Sequence, residues 1–310
     1  MYGFVVDDGP VWSVKFCPTG APTAQRIGLI AVSTSIGDVL VYSLPNIQNS
    51  GSYLLHLTAS VVCKVKDELI FNDLFNQACQ LTWYHNSNIN LLTAGFLDGT
   101  VGIWDMNNMK SHKKEASSNI IYPSSVVSAH LERITALDIR STKDAIYLIT
   151  AGLDRRVRTF CMTATNVLYE VSNYQCKSRL FCAKWWHNWP QMLLGEDDCF
   201  TQNPLFMRNP YELAYRYHSF YAFSGSVMDI TINNYLNTAM IVTDSGDVLG
   251  YEAPQLLICS DTKFKDKELQ VHSFADFSKI TTGAEEEEEI GVVFCDLKVK
   301  YLKVLLLTFY

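Results

Sequence analysis

The sequence predicts an all-β chain made of repeated four-stranded sheets, and three observations carry that reading. Residues Leu91–Met106 read LLTAGFLDGTVGIWDM, in which two apolar runs flank Asp98-Gly99, a pair suited to a tight hairpin because glycine tolerates positive φ. The pattern of turn, valine and closing aromatic then recurs. It gives Gly37, Val39 and Tyr42 in STSIGDVLVY, Val157 and Phe160 in TAGLDRRVRTF with Arg155 in place of glycine, and Gly246, Val248 and Tyr251 in TDSGDVLGY. Upstream of these hairpins lie short apolar-rich strands: VWSVKF (11–16), CQLTWY (79–84), ITALDI (134–139), FCAKWW (181–186) and VMDITI (227–232).

A period of ~40–45 residues, stretched by loop insertions, is that of a WD40-type β-propeller with four strands to a blade. The closing aromatics fall at 42, 104, 160 and 251. The last interval is about two periods, which predicts a hidden copy between 185 and 215. FCAKWW opens that copy, and QMLLGEDDCF (191–200) is its degenerate inner strand. Blades therefore start near residues 11, 79, 134, 180 and 227, and a weak sixth starts near 290 in IGVVFCDLKV and breaks off near YLKVLLLTFY. Residues 1–310 are read as a single propeller domain with an irregular or incomplete ring.

The connections differ in character. Residues 44–78 exceed a simple blade connection and are expected to hold the outer strand of blade one plus a loop or short helix around Asp67–Phe75. Residues 107–128 read as a polar loop carrying the cluster Lys110–Lys114. Residues 255–289 form an acidic insertion ending in AEEEEE. Five consecutive glutamates repel one another, so disorder is expected there.

Composition excludes several classes. The formal net charge is −7, whereas a protein that coats nucleic acid needs Lys and Arg in excess on at least one face. Nine cysteines, an odd number with no CxxC pair, suggest buried thiols in a reducing compartment, not a disulfide framework or a zinc ribbon. The N-terminal MYGFVVDDGPVW has no basic region, and Asp7 and Asp8 stand where a signal peptide needs apolar residues. No apolar run approaches the ~20 residues of a membrane helix. On these readings a soluble intracellular protein without a membrane partner is expected.

Motifs for chemistry are missing as well. There is no Gly-rich phosphate loop, no HExxH and no GxSxG, so no cofactor, resident metal, small-molecule substrate or catalytic activity is expected. Glu196, Asp197 and Asp198 form an acidic trio with no histidine or nucleophile to complete a catalytic set. His130, four residues before Ile134, and the turn aspartates Asp98 and Asp154 are read as structural groups that orient the hairpins. Two clusters suit recognition. Arg155, Arg156 and Arg158 lie on one hairpin, with Arg156 and Arg158 on the same strand face, and arginine forks fit carboxylate or phosphate. Trp186 ends the opening strand of the hidden copy and Trp189 lies in the following turn, and alternation turns Trp186 away from the core register held by Trp185, where an exposed aromatic would anchor a protein partner.

GPVWSVKFCPTG (9–20), followed by RIGLIAV and DVLVYSLP, then LTWYHNSNINLLTAGFLDGTVGIWDM, AHLERITALDIRSTKDAIYLITAGLDRRVRTF and the EDDCF segment, occur here in one order. In that order they resemble the WD40 domain of the beta-subunit family of general transcription factor IIIC, the RNA polymerase III promoter factor, over roughly residues 9–255. The resemblance implies a non-catalytic scaffold in the nucleus. Its implied partners are the other subunits of that factor, especially the largest, with which the family recognises an internal promoter element of transfer RNA genes. DNA would be engaged indirectly through the complex. The family's long N-terminal extension has no counterpart in these 310 residues, and the chain after 255 does not match. A general adaptor propeller is the alternative, either a ubiquitin ligase substrate receptor or a chromatin reader. The first would want an arginine after Trp104-Asp105, where Met106 and Asn107 stand. The second would want a cage such as Trp186, Trp189 and Tyr217.

Overall fold

A computed structural model of the chain describes residues 2–6, 9–18, 22–24, 26–35, 37–46, 53–57, 61–63, 77–86, 89–107, 120–142, 145–163, 167–186, 191–197, 199–204, 218–222, 225–252, 271–276, 292–294 and 303–305. Nearly all of these residues lie in strands or tight turns, and no α-helix occurs among them. Among the described residues, no helix is long and apolar enough to cross a membrane. The chain divides into two compact units, Met1–His187 and Asn188–Tyr310.

The first unit runs β1 (Tyr2–Val6), β2 (Val11–Phe16), β3 (Arg26–Thr34), β4 (Val39–Pro45), β5 (Tyr53–Leu57), β6 (Val61–Cys63), β7 (Ala78–His85), β8 (Asn90–Phe96), β9 (Thr100–Asp105), β10 (Ile120–Ile121), β11 (Ser125–Ser128), β12 (Ile134–Ser141), β13 (Ile146–Gly152), β14 (Arg156–Met162), β15 (Leu168–Gln175) and β16 (Leu180–Trp186). Three sheets dominate it, in the orders β10-β6-β4-β3-β2, β11-β9-β8-β7 and β12-β13-β14-β15. Their pairings are antiparallel except β10 on β6, and β1 separately pairs with β5 in parallel.

The second unit runs β17 (Gln191–Glu196), β18 (Cys199–Pro204), β19 (His218–Ala222), β20 (Val227–Asn233), β21 (Thr238–Thr243), β22 (Asp247–Glu252), β23 (Val271–Asp276), β24 (Val292–Phe294) and β25 (Lys303–Leu305). Antiparallel pairing joins β17 to β18 to β19, β20 to β23 in sequence, and β24 to β25.

Two local devices show that the sheets are copies of one plan. The opening strand of four sheets carries a register shift close to its start, at Val11/Ser13, Ala78/Gln80, Ile134/Ala136 and Val227/Asp229. The turn between the second and third strands is closed each time by a hydrogen bond across four residues: Gly37 N to Thr34 O, Gly99 N to Phe96 O, Arg155 N to Gly152 O and Gly246 N to Thr243 O. All four donors have positive φ, at 106°, 81°, 62° and 90°. A type I turn followed by a left-handed residue is a standard hairpin closure, and it explains the glycine in three of the four sequences.

The inner strands are apolar on both faces because both faces are covered. In β8 and β9, Leu91, Val101 and Ile103 pack with Ile134, Leu137, Ile139 and Phe160 of the third sheet. Leu92, Ala94 and Trp104 join Ala31, Val39 and Val41 of the first. Alternate residues of one sheet thus serve two cores. The closing aromatics Tyr42, Trp104 and Phe160 are buried. Among the described residues six cysteines are buried free thiols, and burial together with nearby Asp38 pushes the Cys63 thiol up to about 12. By contrast β2 leaves Val11, Trp12, Val14 and Phe16 exposed.

Several connections contain more structure than their composition suggests. Within residues 107–128, β10 extends the first sheet while β11 completes the second, and the Trp104 indole N–H donates to Ile121 O at 3.2 Å. Lys110–Lys114 lies outside the described residues. Within 44–78 lie β5 and β6, and Asp67–Phe75 is outside the described residues. Within 255–289, β23 is the fourth strand of its sheet, and the glutamates 285–289 are outside the described residues. QMLLGEDDCF spans β17 and the start of β18 and so is not one inner strand, and the stretch opening near 290 holds the short hairpin β24–β25.

The turn geometry makes a sharp prediction at Gly99. A β-carbon there would lie 2.0 Å from the His130 carbonyl oxygen, in a backbone of φ +81°. Gly99→Ala is expected to destabilise the first unit by about 2–4 kcal/mol, read from urea denaturation.

Candidate functional site

The β13–β14 turn and the loop before β12 meet at one end of the third sheet. Three backbone bonds fix that loop: Ala129 N and His130 N both donate to Gly99 O at 3.0 Å, and Leu153 N donates to Arg133 O at 3.0 Å. His130 is buried between the two turns. Its Nδ1 lies 2.9 Å from Asp154 Oδ1, and its Nε2 lies 2.9 Å from Thr150 Oγ1. Asp154 also accepts from Arg156 N at 3.1 Å and, through Oδ2, from Leu131 N at 3.5 Å. Asp98 accepts from Thr100 N at 2.8 Å within its own turn. His130 and Asp154 therefore hold two loops together.

Burial lowers the His130 pKa from its ordinary value, against the opposing pull of the Asp154 carboxylate. A neutral ring with the proton on Nδ1 satisfies every group, donating to Asp154 and accepting from the Thr150 hydroxyl. Engaged in this way inside the fold, the pair clamps the two loops together.

The three arginines of the turn divide. Arg156 Nη1 donates to Asn173 Oδ1 at 3.4 Å, and Arg158 Nη1 donates to Glu170 Oε2 at 3.2 Å. Both are half-buried and lean across β15, the same face that strand alternation assigns them. Arg155 differs. It is exposed, and among the described residues its guanidinium has no hydrogen-bond or ion-pair partner. Its backbone is held firmly: the N–H donates to Gly152 O at 3.1 Å, and the carbonyl accepts from Cys176 N at 2.8 Å and Gln175 Nε2 at 3.2 Å.

An open depression of about 430 Å³ lies beside this turn, lined by Glu132, Leu153, Arg155 and Arg179. Next to it the Arg133 guanidinium stacks 5.6 Å from the ring centroid of Trp12, whose side chain stays half exposed. The sequence pattern alone does not place Glu132, Leu153 and Arg179 together, since they come from three separate loops. The usable signal was positional: each precedes or follows a strand at the same end of the sheet.

The tryptophan cluster is arranged differently from the sequence expectation. Trp186 is fully buried, like Trp185. β16 is covered on both faces, so alternation does not turn Trp186 out to a partner. Trp189 and Tyr217 lie outside the described residues, and the burial of Trp186 takes it out of an exposed aromatic cage. Glu196 is buried and Asp197 half-buried, and no group of three or more His, Cys, Asp or Glu residues converges to hold a metal among the described residues.

No family model matches the chain. It is 25% identical over 182 residues to general transcription factor 3C polypeptide 2 of Homo sapiens and, to the same degree, to that protein of Pongo abelii. The match takes in 51% of this chain and 20% of each relative, so the chain spans about a fifth of the length of the curated relatives it matches. This similarity relates the chain distantly to a transcription factor 3C subunit.

Two outcomes follow from the geometry. Arg155 occupies a left-handed position filled by glycine in the sister turns, so Arg155→Gly is expected to raise stability by up to about 1 kcal/mol, measured by urea denaturation. His130 has a folded pKa below its unfolded one, so its contribution is complete above the ordinary histidine range and is lost as pH falls through and below it. Urea midpoints should drop between pH 7.5 and pH 5, and His130→Gln should flatten that slope while costing about 2–3 kcal/mol at neutral pH.

Proposed function

We propose that this chain is a non-catalytic, WD40-type β-propeller scaffold of a transcription factor IIIC-like assembly. It would work in the nucleus and support recognition of internal promoters of RNA polymerase III genes through protein contacts. The observation that carries this reading is the similarity to general transcription factor 3C polypeptide 2 over half of the chain. The four-fold recurrence of the opening bulge and the closed turn supports propeller blades, which bury their faces against one another and present loops to partners.

Surface chemistry supports a scaffold over an autonomous DNA binder. The net charge of −7 repels a phosphate backbone at long range, and the exposed Arg155 and Arg179 are local. The assembly partners of this reading are the other subunits of the factor, the largest above all, with DNA engaged through them.

The test is affinity purification of the tagged chain from nuclear extract with mass spectrometry of what co-elutes. Near-stoichiometric recovery of transcription factor IIIC subunits is expected. Recovery of a ubiquitin ligase or a chromatin complex in their place would sink the reading, as would tight, salt-sensitive binding of transfer RNA gene DNA by the isolated chain in mobility shifts.

A further inference from the structure

Three of the four equivalent turns place glycine at the left-handed position, and the third places an arginine there at φ 62°. An L-residue in this region costs free energy that glycine avoids, and such outliers persist where the surroundings over-determine them and the side chain is used. Both conditions hold. The Arg155 backbone is pinned by bonds to Gly152, Gln175 and Cys176, while its side chain stands exposed over the depression without an internal partner among the described residues.

The surroundings specify a chemistry. Arg179 lines the same depression, and exposed Lys177 follows Cys176 in the loop that bonds the Arg155 carbonyl. Arg133 adds a further cation, stacked on half-exposed Trp12. Apolar surface lies among these charges: Leu153 forms part of the lining, and Leu131, tied to Asp154 by its backbone, is 88% exposed. The depression, about 430 Å³, is open to solvent on one side. Phosphate backbone fits poorly, because the apolar side chains gain nothing from a sugar-phosphate edge, and Glu132 in the lining disfavours any anion set directly against it. An acidic peptide carrying apolar residues uses both the charge and the apolar surface, with carboxylates on the arginine forks away from Glu132 and an apolar side chain against the leucines.

We infer that this end of the third sheet is a docking site for an acidic, leucine- or phenylalanine-bearing segment of a partner protein, with Arg155 and Arg179 as its charged anchors. The inference rests on the scaffold reading above and specifies the partner chemistry.

Fluorescence anisotropy with the full chain tests it. The probes are a labelled 15-residue peptide of glutamates interspersed with leucine and phenylalanine, the same peptide with glutamine for glutamate, the same with serine for its apolar residues, and a duplex DNA of comparable charge. Saturable binding of the first peptide is expected, weakened at least ~10-fold in each altered peptide and in Arg155→Glu/Arg179→Glu, and falling with added salt. Arg155→Gly should bind several-fold more weakly while melting no lower than the parent, which separates loss of the side chain from loss of the fold. Failure of the first peptide to saturate, or binding indifferent to the double variant, overturns the site. Competition by the duplex at or below the peptide's concentration overturns the peptide in favour of phosphate. Co-purification of the factor's subunits that survives the double variant removes this site and leaves the scaffold reading intact, whereas peptide binding without co-purification does the reverse.

Discussion

The inner strands of the first unit are apolar on both faces, and covering both is the constraint on which that unit depends. A two-layer sandwich would cover one face of each sheet. Here the second sheet hands Leu92, Ala94 and Trp104 to one neighbour and Leu91, Val101 and Ile103 to the other, so sheets must stack in series. Stacking in turn dictates the connections. The chain from Ile120 to Ser128 lies on the edge of the first sheet as β10 and then on the edge of the second as β11, which ties the two layers covalently as well as by packing. The Trp104 indole bond to Ile121 falls inside this strap and satisfies a buried donor that the apolar core would otherwise strand.

Stacked sheets leave their turns as the accessible surface, and the turns divide by how they are closed. Where the left-handed residue is glycine, the turn is a hinge of minimum cost. At Gly99 the lack of a side chain is essential, since the His130 carbonyl occupies the space a β-carbon would need. The β13–β14 turn has no such crowding at Arg155 and carries a side chain into solvent. The His130–Asp154–Thr150 network lies beneath it, so the exposed arginine is mounted on a corner of the third sheet that is bonded from two loops.

Much of this was legible in the sequence, for reasons that are local. The turn-to-aromatic pattern reports the hairpin geometry itself, and strands begin at Val11, Ala78, Ile134, Leu180 and Val227, within a residue of the starts read from apolar runs near 11, 79, 134, 180 and 227. Arg155 stood out because it replaced glycine at a position whose backbone demands glycine-like freedom. Non-local features were not legible. Parallel pairing of β1 with β5 and of β10 with β6 joins segments distant in sequence that have no turn signal between them. Trp186 misled because alternation assigns an outside only to a sheet that has one, and β16 has none. Glu132, Leu153 and Arg179 became neighbours only once three loops were brought to one end.

The chain's charge and its candidate site pull in opposite directions, and the geometry reconciles them. A net charge of −7 spread over 310 residues acts at distances beyond the screening length only weakly at physiological salt, while cations grouped around a depression act at contact. Contact electrostatics reward rigidity, because each flexible side chain or loop that must be ordered on binding subtracts from affinity. The corner meets that requirement at the backbone: Arg155 is fixed on both sides of its peptide, and Leu153 is tied to Arg133. Only side-chain rotamers remain to be ordered when a ligand arrives. The scaffold subunit we propose would need this combination, since its task would be to hold partners in fixed relation and any give in the platform would be passed on to the assembly. In the docking site we propose, the strain at one arginine is the local cost of a charged side chain that the three glycine turns cannot supply.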